Sequence, residues 1–76
     1  MMNSVTVYGK PQCQQCNMTE RYLKKAGIAY NKVDVTEDEA AYAYITELGY
    51  LQAPVVTYGE DHWSGFIPDR LANITV

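Results

Sequence analysis

Apolar and polar residues alternate at residues 5–8, and Val33 and Val35 alternate with polar residues in a second stretch; these two stretches and two later ones are each predicted to be a β-strand. The stretches are residues 5–8, 28–35, 55–58 and 62–66. Residues 59–61 separate the last two stretches and are short enough for a hairpin, which makes those strands antiparallel. A helical stretch separates the first two, so these are predicted to be parallel, with the first strand central in the sheet.

A helical pattern follows the first strand and covers about residues 13–26. The spacing of Cys16, Leu23 and Ala26 predicts that they share its inward side. Two lysines stand in the last turn, where cations suit the negative end of the helix dipole, and Gly27 can take the left-handed conformation after it.

A second helix is predicted to begin with Thr36 as its N-cap and Glu39 reaching back, as in a capping box. Apolar residues then recur at helical spacing and predict one buried stripe, which consists of Ala41, Tyr44, Ile45 and Leu48. Gly49 follows this stripe and ends the predicted helix.

A third helix is predicted from Pro68, because proline suits the first turn of a helix. Its Leu71 and Ile74 are expected to pack back onto the sheet. The complete order is β-α-β-α-β-β-α, which predicts an α/β fold with the chain's two cysteines at the start of the first helix.

Cys13 and Cys16 are the candidate chemical site, because a spacing of three places both thiols on one face of a helix. The helix dipole is expected to lower the pKa of Cys13 from about 8.5 towards about 7. Cys13 is therefore the predicted nucleophile, and the more deeply placed Cys16 the resolving thiol. Lys10 either adds a positive charge to this site or is a solvated loop lysine.

Two other uses of the cysteine pair are less favoured. A static disulfide would close so short a loop that it would remove little entropy from the unfolded chain. A zinc ion would lack ligands, since His62 is the single histidine and is expected to be an ordinary, partly exposed strand residue. We therefore predict no metal site, and retain a metal or iron-sulfur carrier, with ligands from two chains, as the alternative of another class.

Composition limits the function further. The 76 residues form one predicted domain, 1–76, and 47% of them are hydrophobic, which suits a folded core. A net charge of −3 without a basic cluster argues against nucleic-acid binding. No apolar run is long enough for a membrane span, and the first residues do not resemble a secretion signal. We expect a cytoplasmic, redox-active monomer.

Three segments carry a resemblance to a known family: residues 10–16 (KPQCQQC), 52–56 (QAPVV) and 63–69 (WSGFIPD). Together they resemble the thioredoxin superfamily in its short glutaredoxin-like form, and more closely the NrdH-redoxins. The third segment is the most discriminating, because ordinary glutaredoxins tend to have paired glycines there. The resemblance covers essentially the whole chain.

This resemblance implies a thioredoxin fold, in which three helices flank a four-stranded mixed sheet, with Pro54 in cis beside the disulfide. It implies an electron carrier that receives electrons from NADPH through a flavin-containing thioredoxin reductase and binds no cofactor itself. The electrons would pass to the large subunit of class Ib ribonucleotide reductase. Within the same chemistry, a glutathione-dependent glutaredoxin is the alternative.

The resemblance also implies roles for residues around the thiols. Those expected to contact partners are Lys10, Gln14, Gln15, Ala53 and Pro54. Those expected to be structural members of the third segment are Trp63, Ser64, Gly65, Phe66, Pro68 and Asp69. For Trp63, three interpretations stay open: a core residue, an exposed docking surface, or a member of a hydrogen-bond network with Ser64 and Asp69.

Overall fold

The structure is a computed structural model, and it describes residues 4–74. Its elements follow the predicted order. The strands and helices are β1 (Val5–Gly9), α1 (Gln14–Lys25), β2 (Asn31–Asp34), α2 (Glu39–Glu47), β3 (Val55–Tyr58), β4 (Asp61–Ser64) and α3 (Pro68–Ala72). The α/β fold with a four-stranded mixed sheet and three helices is therefore confirmed. None of the helices within residues 4–74 is long and apolar enough to cross a membrane.

The four strands form one sheet in the order β2-β1-β3-β4. β1 is central, as predicted, and pairs in parallel with β2 and antiparallel with β3. β3 and β4 form the predicted antiparallel hairpin. Since Tyr8 is opposite Val55, the last residues of β1 and the first residues of β3 lie at the same end of the sheet. The segment before β3 is thereby brought beside the loop that leads from β1 to the cysteines.

Helices cover both faces of the sheet. On one face, strand residues pack with residues from the end of α1 and from α3, and the buried cluster consists of Val5, Val7, Leu23, Ile28, Val56, Trp63, Leu71 and Ile74. This confirms the prediction that Leu71 and Ile74 pack onto the sheet. On the other face, the ring of Tyr8 lies 5.6 Å from that of Tyr44 in α2.

The inward side of α1 differs from the prediction at one position. Cys16 and Leu23 are buried, but Ala26 is exposed. Ala26 is the C-cap, where the helix ends and the chain turns away through Gly27, which has a φ of 74°. The remaining inward positions are taken instead by Thr19 and Glu20, which are three and four residues after Cys16.

The predicted start of α2 was wrong. The N-cap is Asp38, whose carboxylate accepts the Ala41 N–H at 3.0 Å. Thr36 lies in the turn before the helix, where its N–H and its hydroxyl donate to the Asp34 carboxylate at 2.8 and 2.6 Å. The helix consequently begins at Glu39.

The buried stripe of α2 is narrower than predicted. Ala41 and Ile45 are buried and Leu48 is half-buried, but Tyr44 is 43% exposed. The Tyr44 ring is tilted by 45° against that of Tyr8 and stays partly open to solvent.

Two strands are shorter than predicted. β2 begins at Asn31 rather than at residue 28, because Ile28 still donates its N–H to the Leu23 carbonyl at the end of α1. β4 ends at Ser64, and Gly65 follows it with a φ of 91°, a conformation that favours glycine.

Candidate functional site

The cysteine pair lies where β1 meets α1. Cys13 is the N-cap of α1 and Cys16 is in its first turn, and the two form a disulfide with their Cα atoms 5.2 Å apart. Gln12, just before the pair, has a φ of 56°, so a left-handed residue turns the chain into the helix. The predicted placement of both cysteines at the helix N-terminus is confirmed.

Backbone groups at the start of the helix are placed to stabilise negative charge on a reduced Cys13. The Cys16 N–H donates to the Cys13 sulfur at 3.1 Å, and the positive end of the α1 dipole points the same way. Cys13 is 7% exposed and Cys16 is 3% exposed, so Cys16 is the deeper of the two. The arrangement suits a Cys13 thiolate that attacks the substrate disulfide and a Cys16 thiol that then resolves the mixed disulfide.

Gly9 leaves room for Cys16 at the end of β1. Gly9 is buried, and a Cβ atom added to it would lie 3.1 Å from the Cys16 sulfur. This is closer than the ordinary van der Waals separation. Any larger residue at position 9 would therefore press on the disulfide.

The segment before β3 borders the loop that leads from β1 to the cysteines. The Ala53–Pro54 peptide bond is cis, as the resemblance implied, and Pro54 is buried. Lys10 and Ala53 line one cavity of about 220 Å³, to which the exposed Tyr42 and Leu51 also contribute. Two of the expected partner-contacting residues, Lys10 and Ala53, are thus brought together.

The glutamine pair between the cysteines has two different environments. Gln14 and Gln15 are both exposed, but the Gln15 side-chain carbonyl accepts the Phe66 N–H at 3.0 Å. A Cβ at Gly65 would lie 3.3 Å from the same Gln15 oxygen. Gln15 therefore links α1 to residues 63–69. The two residues are 51 positions apart in sequence, so local patterns do not reveal the contact.

The same segment is also tied to the loop that carries Pro54. The Gly65 N–H donates to the Pro54 carbonyl at 2.8 Å, and the Ser64 hydroxyl donates to the Gln52 carbonyl at 3.2 Å. Phe66 packs against the core. Residues 63–69 thus contact the other two segments that carry the family resemblance, residues 10–16 and 52–56.

Trp63 is a core residue, with 5% of its surface exposed and the Arg70 guanidinium 5.7 Å from its ring. Its indole Nε1 is buried and has no hydrogen-bond partner within the described part of the chain. Among the three interpretations, the network with Ser64 and Asp69 and the exposed docking surface are therefore wrong. Asp69 is exposed, in the first turn of α3, and Pro68 begins that helix as predicted.

Sequence patterns did not reveal the hydrogen-bonded environment of Glu20, a buried residue that lines the same cavity as Cys16. Glu20 is 8% exposed, accepts the Tyr30 hydroxyl hydrogen at 2.9 Å and pairs with Lys32 at 3.4 Å. Burial, the hydrogen bond to Glu20 and the charge of Glu20 together raise the pKa of Tyr30 to about 12. The spacing of Cys16 and Glu20, four apart on one helix, was the available signal.

The candidate metal ligands in the sequence were the two cysteines and His62. Among residues 4–74, no group of three histidine, cysteine, aspartate or glutamate residues could hold a metal ion. His62 is an exposed residue of β4, and its Nδ1 lies 2.7 Å from the Tyr50 hydroxyl.

Comparison with known proteins identifies the family. The glutaredoxin family profile matches residues 5–63. The chain is 37% identical over 70 residues to the glutaredoxin-like protein NrdH of Lactococcus lactis subsp. cremoris, covering 92% of this chain and 97% of that protein. It is also similar to the solved structure of the Escherichia coli NrdH-redoxin, with a TM-score of 0.92, 30% identity and 96% of each chain covered.

A glutaredoxin from Archaeoglobus fulgidus is more distant, with a TM-score of 0.78, 26% identity, and 96% of this chain and 86% of that chain covered. The fold, the cysteine pair and these similarities agree. The chain therefore belongs to the glutaredoxin family, in its NrdH-redoxin group, and is a glutaredoxin-like thiol-disulfide oxidoreductase with a thioredoxin fold.

Proposed function

We propose that this protein carries electrons to class Ib ribonucleotide reductase and is itself reduced by a thioredoxin reductase. NADPH supplies the electrons through the flavin of that reductase, and this chain holds no cofactor of its own. The protein acts in the cytoplasm as a monomer. The similarity to proteins named NrdH, over nearly their whole length, supports this assignment.

In the proposed reaction the Cys13 thiolate attacks a disulfide on the large subunit of the ribonucleotide reductase. A mixed disulfide forms, and one subunit thiol is released. The Cys16 thiolate then attacks the Cys13 sulfur, which releases the second subunit thiol and leaves the Cys13–Cys16 disulfide. Two electrons have moved to the subunit, and the thioredoxin reductase returns two to the cysteine pair.

The roles of the two cysteines are supported by their positions. Cys13 caps the helix and accepts the Cys16 N–H, which favours its thiolate, and a thiolate is the attacking species in disulfide exchange. Cys16 is the deeper thiol, so a bulky protein disulfide meets Cys13 first.

The surroundings of the pair suit a protein partner. Leu51 is 87% exposed and, with Tyr42 and Ala53, lines the cavity that Lys10 also borders. Tyr42 is also exposed, and exposed apolar side chains that cluster on one surface are typical of a contact surface for another protein. We assign the surface of Lys10, Tyr42, Leu51 and Ala53 to the polypeptide on either side of the partner's disulfide.

The observation that carries the preference over glutathione is the hydrogen bond between Gln15 and Phe66. It joins a side-chain acceptor and a backbone donor that would otherwise be available to a small peptide beside the cysteines. With both groups used internally, the site offers less to glutathione and leaves recognition to a larger protein surface. The similarity to the Archaeoglobus glutaredoxin keeps the glutathione-dependent function as the second candidate.

The test is NADPH oxidation with a protein disulfide as final acceptor. One reaction contains thioredoxin reductase, and the other contains glutathione with glutathione reductase. We expect rapid turnover with thioredoxin reductase and little turnover through glutathione. Turnover through glutathione alone would contradict the proposal and make the protein a glutathione-dependent glutaredoxin.

A further inference from the structure

Glu20 is a carboxylate held under the surface next to the resolving cysteine. It is 8% exposed, and both of its oxygens have partners: Oε1 accepts the Tyr30 hydroxyl hydrogen, and Oε2 lies 3.4 Å from the Lys32 ammonium. Glutamate is rarely buried to this extent unless it is paired. Neither partner is part of the disulfide chemistry, so the reaction described so far leaves Glu20 without a role.

Glu20 and Cys16 share a cavity. They are four residues apart on α1, which places them one above the other on the same side of the helix. Both line a cavity of about 260 Å³, which has room for several water molecules. Lys10, Lys32 and Asp34 also line it, so its wall is polar enough to hold water.

The resolving step requires Cys16 to lose a proton. Only a thiolate attacks a disulfide, and a free thiol titrates near pH 8.5, with burial opposing its ionisation. Cys16 is 3% exposed, and the helix N–H that stabilises charge is directed to Cys13 rather than to Cys16. A base close to the Cys16 thiol would remove this obstacle.

We propose that Glu20 is the proton acceptor for Cys16 and acts through water in the shared cavity. As the proton leaves Cys16 for Glu20, the Cys16 sulfur forms a bond to the Cys13 sulfur. The bond between Cys13 and the partner's sulfur breaks, and its electron pair leaves with that sulfur, which takes a proton from solvent. Glu20 then returns its proton to bulk water through the outer cleft that it lines with Asn17, Arg21, Lys24 and Lys32.

Asp34 is the other carboxylate on the cavity, and it is less suited to this role. Its Oδ1 accepts both the N–H and the hydroxyl hydrogen of Thr36. These hydrogen bonds lower the pKa of Asp34, which opposes its taking up a proton. The charged and titratable groups facing Glu20 and its cavity from the neighbouring segments are Lys10, Arg21, Lys24, Tyr30, Lys32 and Asp34.

The inference depends on the proposed roles of the two cysteines but not on the identity of the protein partners. It can therefore be tested with a small neutral disulfide, dithiodipyridine, added to the fully reduced protein. Attack by Cys13 releases one thiopyridone at a rate proportional to the reagent concentration. Attack by Cys16 then releases the second at a rate independent of that concentration, and a rapid-mixing spectrophotometer separates the two.

The principal variant is Glu20→Gln, which keeps the side-chain length and a carbonyl oxygen for the Tyr30 hydroxyl but cannot accept a proton. We expect the first release to be unchanged and the second to slow about tenfold or more at pH 7, within the range of general-base catalysis. In the variant, the second release should accelerate as pH rises towards that of thiol ionisation. Added formate should restore the second release in Glu20→Gln and leave the unaltered protein unaffected.

Control variants separate proton transfer from a structural role. Glu20→Asp should retain most of the second-release rate, and Glu47→Gln, an exposed change on α2, should retain all of it. A second release that keeps its rate and pH profile in Glu20→Gln would overturn the proposal. So would slowing without rescue by formate, or slowing in Asp34→Asn instead.

The same experiment tests the cysteine roles separately. If Cys13→Ser still released one thiopyridone rapidly, or Cys16→Ser released two, the assignment of the two thiols would be wrong whatever Glu20 does. If the two releases belong to Cys13 and Cys16 as assigned and only the Glu20 effect is absent, the cysteine roles stand and the inference about Glu20 fails.

Discussion

Gly9→Ala should make the protein a stronger oxidant. The added Cβ would lie 3.1 Å from the Cys16 sulfur and 3.5 Å from the Cys16 Cβ, whereas nonbonded atoms prefer separations of about 3.5–4.0 Å. In the oxidised protein the sulfur is held by its bond to Cys13 and cannot turn away. In the reduced protein the Cys16 side chain is free to rotate and relieve the contact.

The magnitude follows from comparing the two redox states. Overpacking of a core costs about 1–3 kcal/mol. We expect the lower end, because only the Cys16 sulfur is closer than the ordinary separation and Gly9 is the last residue of β1. The gain from replacing glycine, about 0.5–1 kcal/mol, is the same in both states and cancels. A differential cost of about 1 kcal/mol raises the two-electron reduction potential by about 20 mV.

The assay equilibrates Gly9→Ala and the unaltered protein in dithiothreitol redox buffers and counts free thiols by alkylation and mass spectrometry. Gly27→Ala is the matched control, because no atom lies within 4 Å of its added Cβ. Its φ of 74° should cost stability equally in both redox states and leave the potential unchanged. An unchanged or more negative potential for Gly9→Ala would refute the argument that Gly9 makes room for the oxidised Cys16.

Three further changes test other parts of the site. Cys16→Ser should trap the mixed disulfide at Cys13 and abolish turnover on protein disulfides, as mass spectrometry and the NADPH assay would detect; near-normal turnover would exclude a two-thiol mechanism. Gln15→Ala removes the acceptor for an exposed N–H, so the free energy of unfolding in urea should fall by only about 0.5–1 kcal/mol, and Gln14→Ala should leave it unchanged. Tyr30 has a pKa raised to about 12, against about 10 in the unfolded chain, so it contributes stability at neutral pH that is lost as pH rises through that window. Tyr30→Phe should therefore lose less stability than the unaltered protein between pH 10 and 12. Urea unfolding at each pH measures this, and an equal fall in the free energy of unfolding of the two proteins would contradict it.

The order of strands and helices was predictable because each element depends on a local pattern. Strands repeat every two residues and helices every 3.6, and both periods are visible in a single sequence. Element ends were less predictable, because several residues can cap the same helix. At α2 the sequence offers both Thr36 and Asp38; Asp38 is the cap, and Thr36 forms hydrogen bonds with Asp34 instead.

The cysteine pair was predictable from spacing, but its supporting contacts were not. Gln15 reaches Phe66 only after the sheet has assembled, so the hydrogen bond has no local signal. Glu20 resembles a surface residue in sequence because glutamates are usually exposed, and its burial depends on Tyr30 and Lys32 from outside the helix. Prediction from sequence therefore succeeded for the placement of the two cysteines and failed for most of the contacts around them.

The most direct test of the proposed function is ribonucleotide reduction in a reconstituted system. It contains a class Ib ribonucleotide reductase, thioredoxin reductase, NADPH and this protein as the sole carrier, and deoxyribonucleotide is measured. We predict multiple turnovers with the unaltered protein and none with Cys16→Ser. Absence of deoxyribonucleotide from a reductase that dithiothreitol can drive, while this protein still reduces other disulfides, would contradict the assignment of its partner.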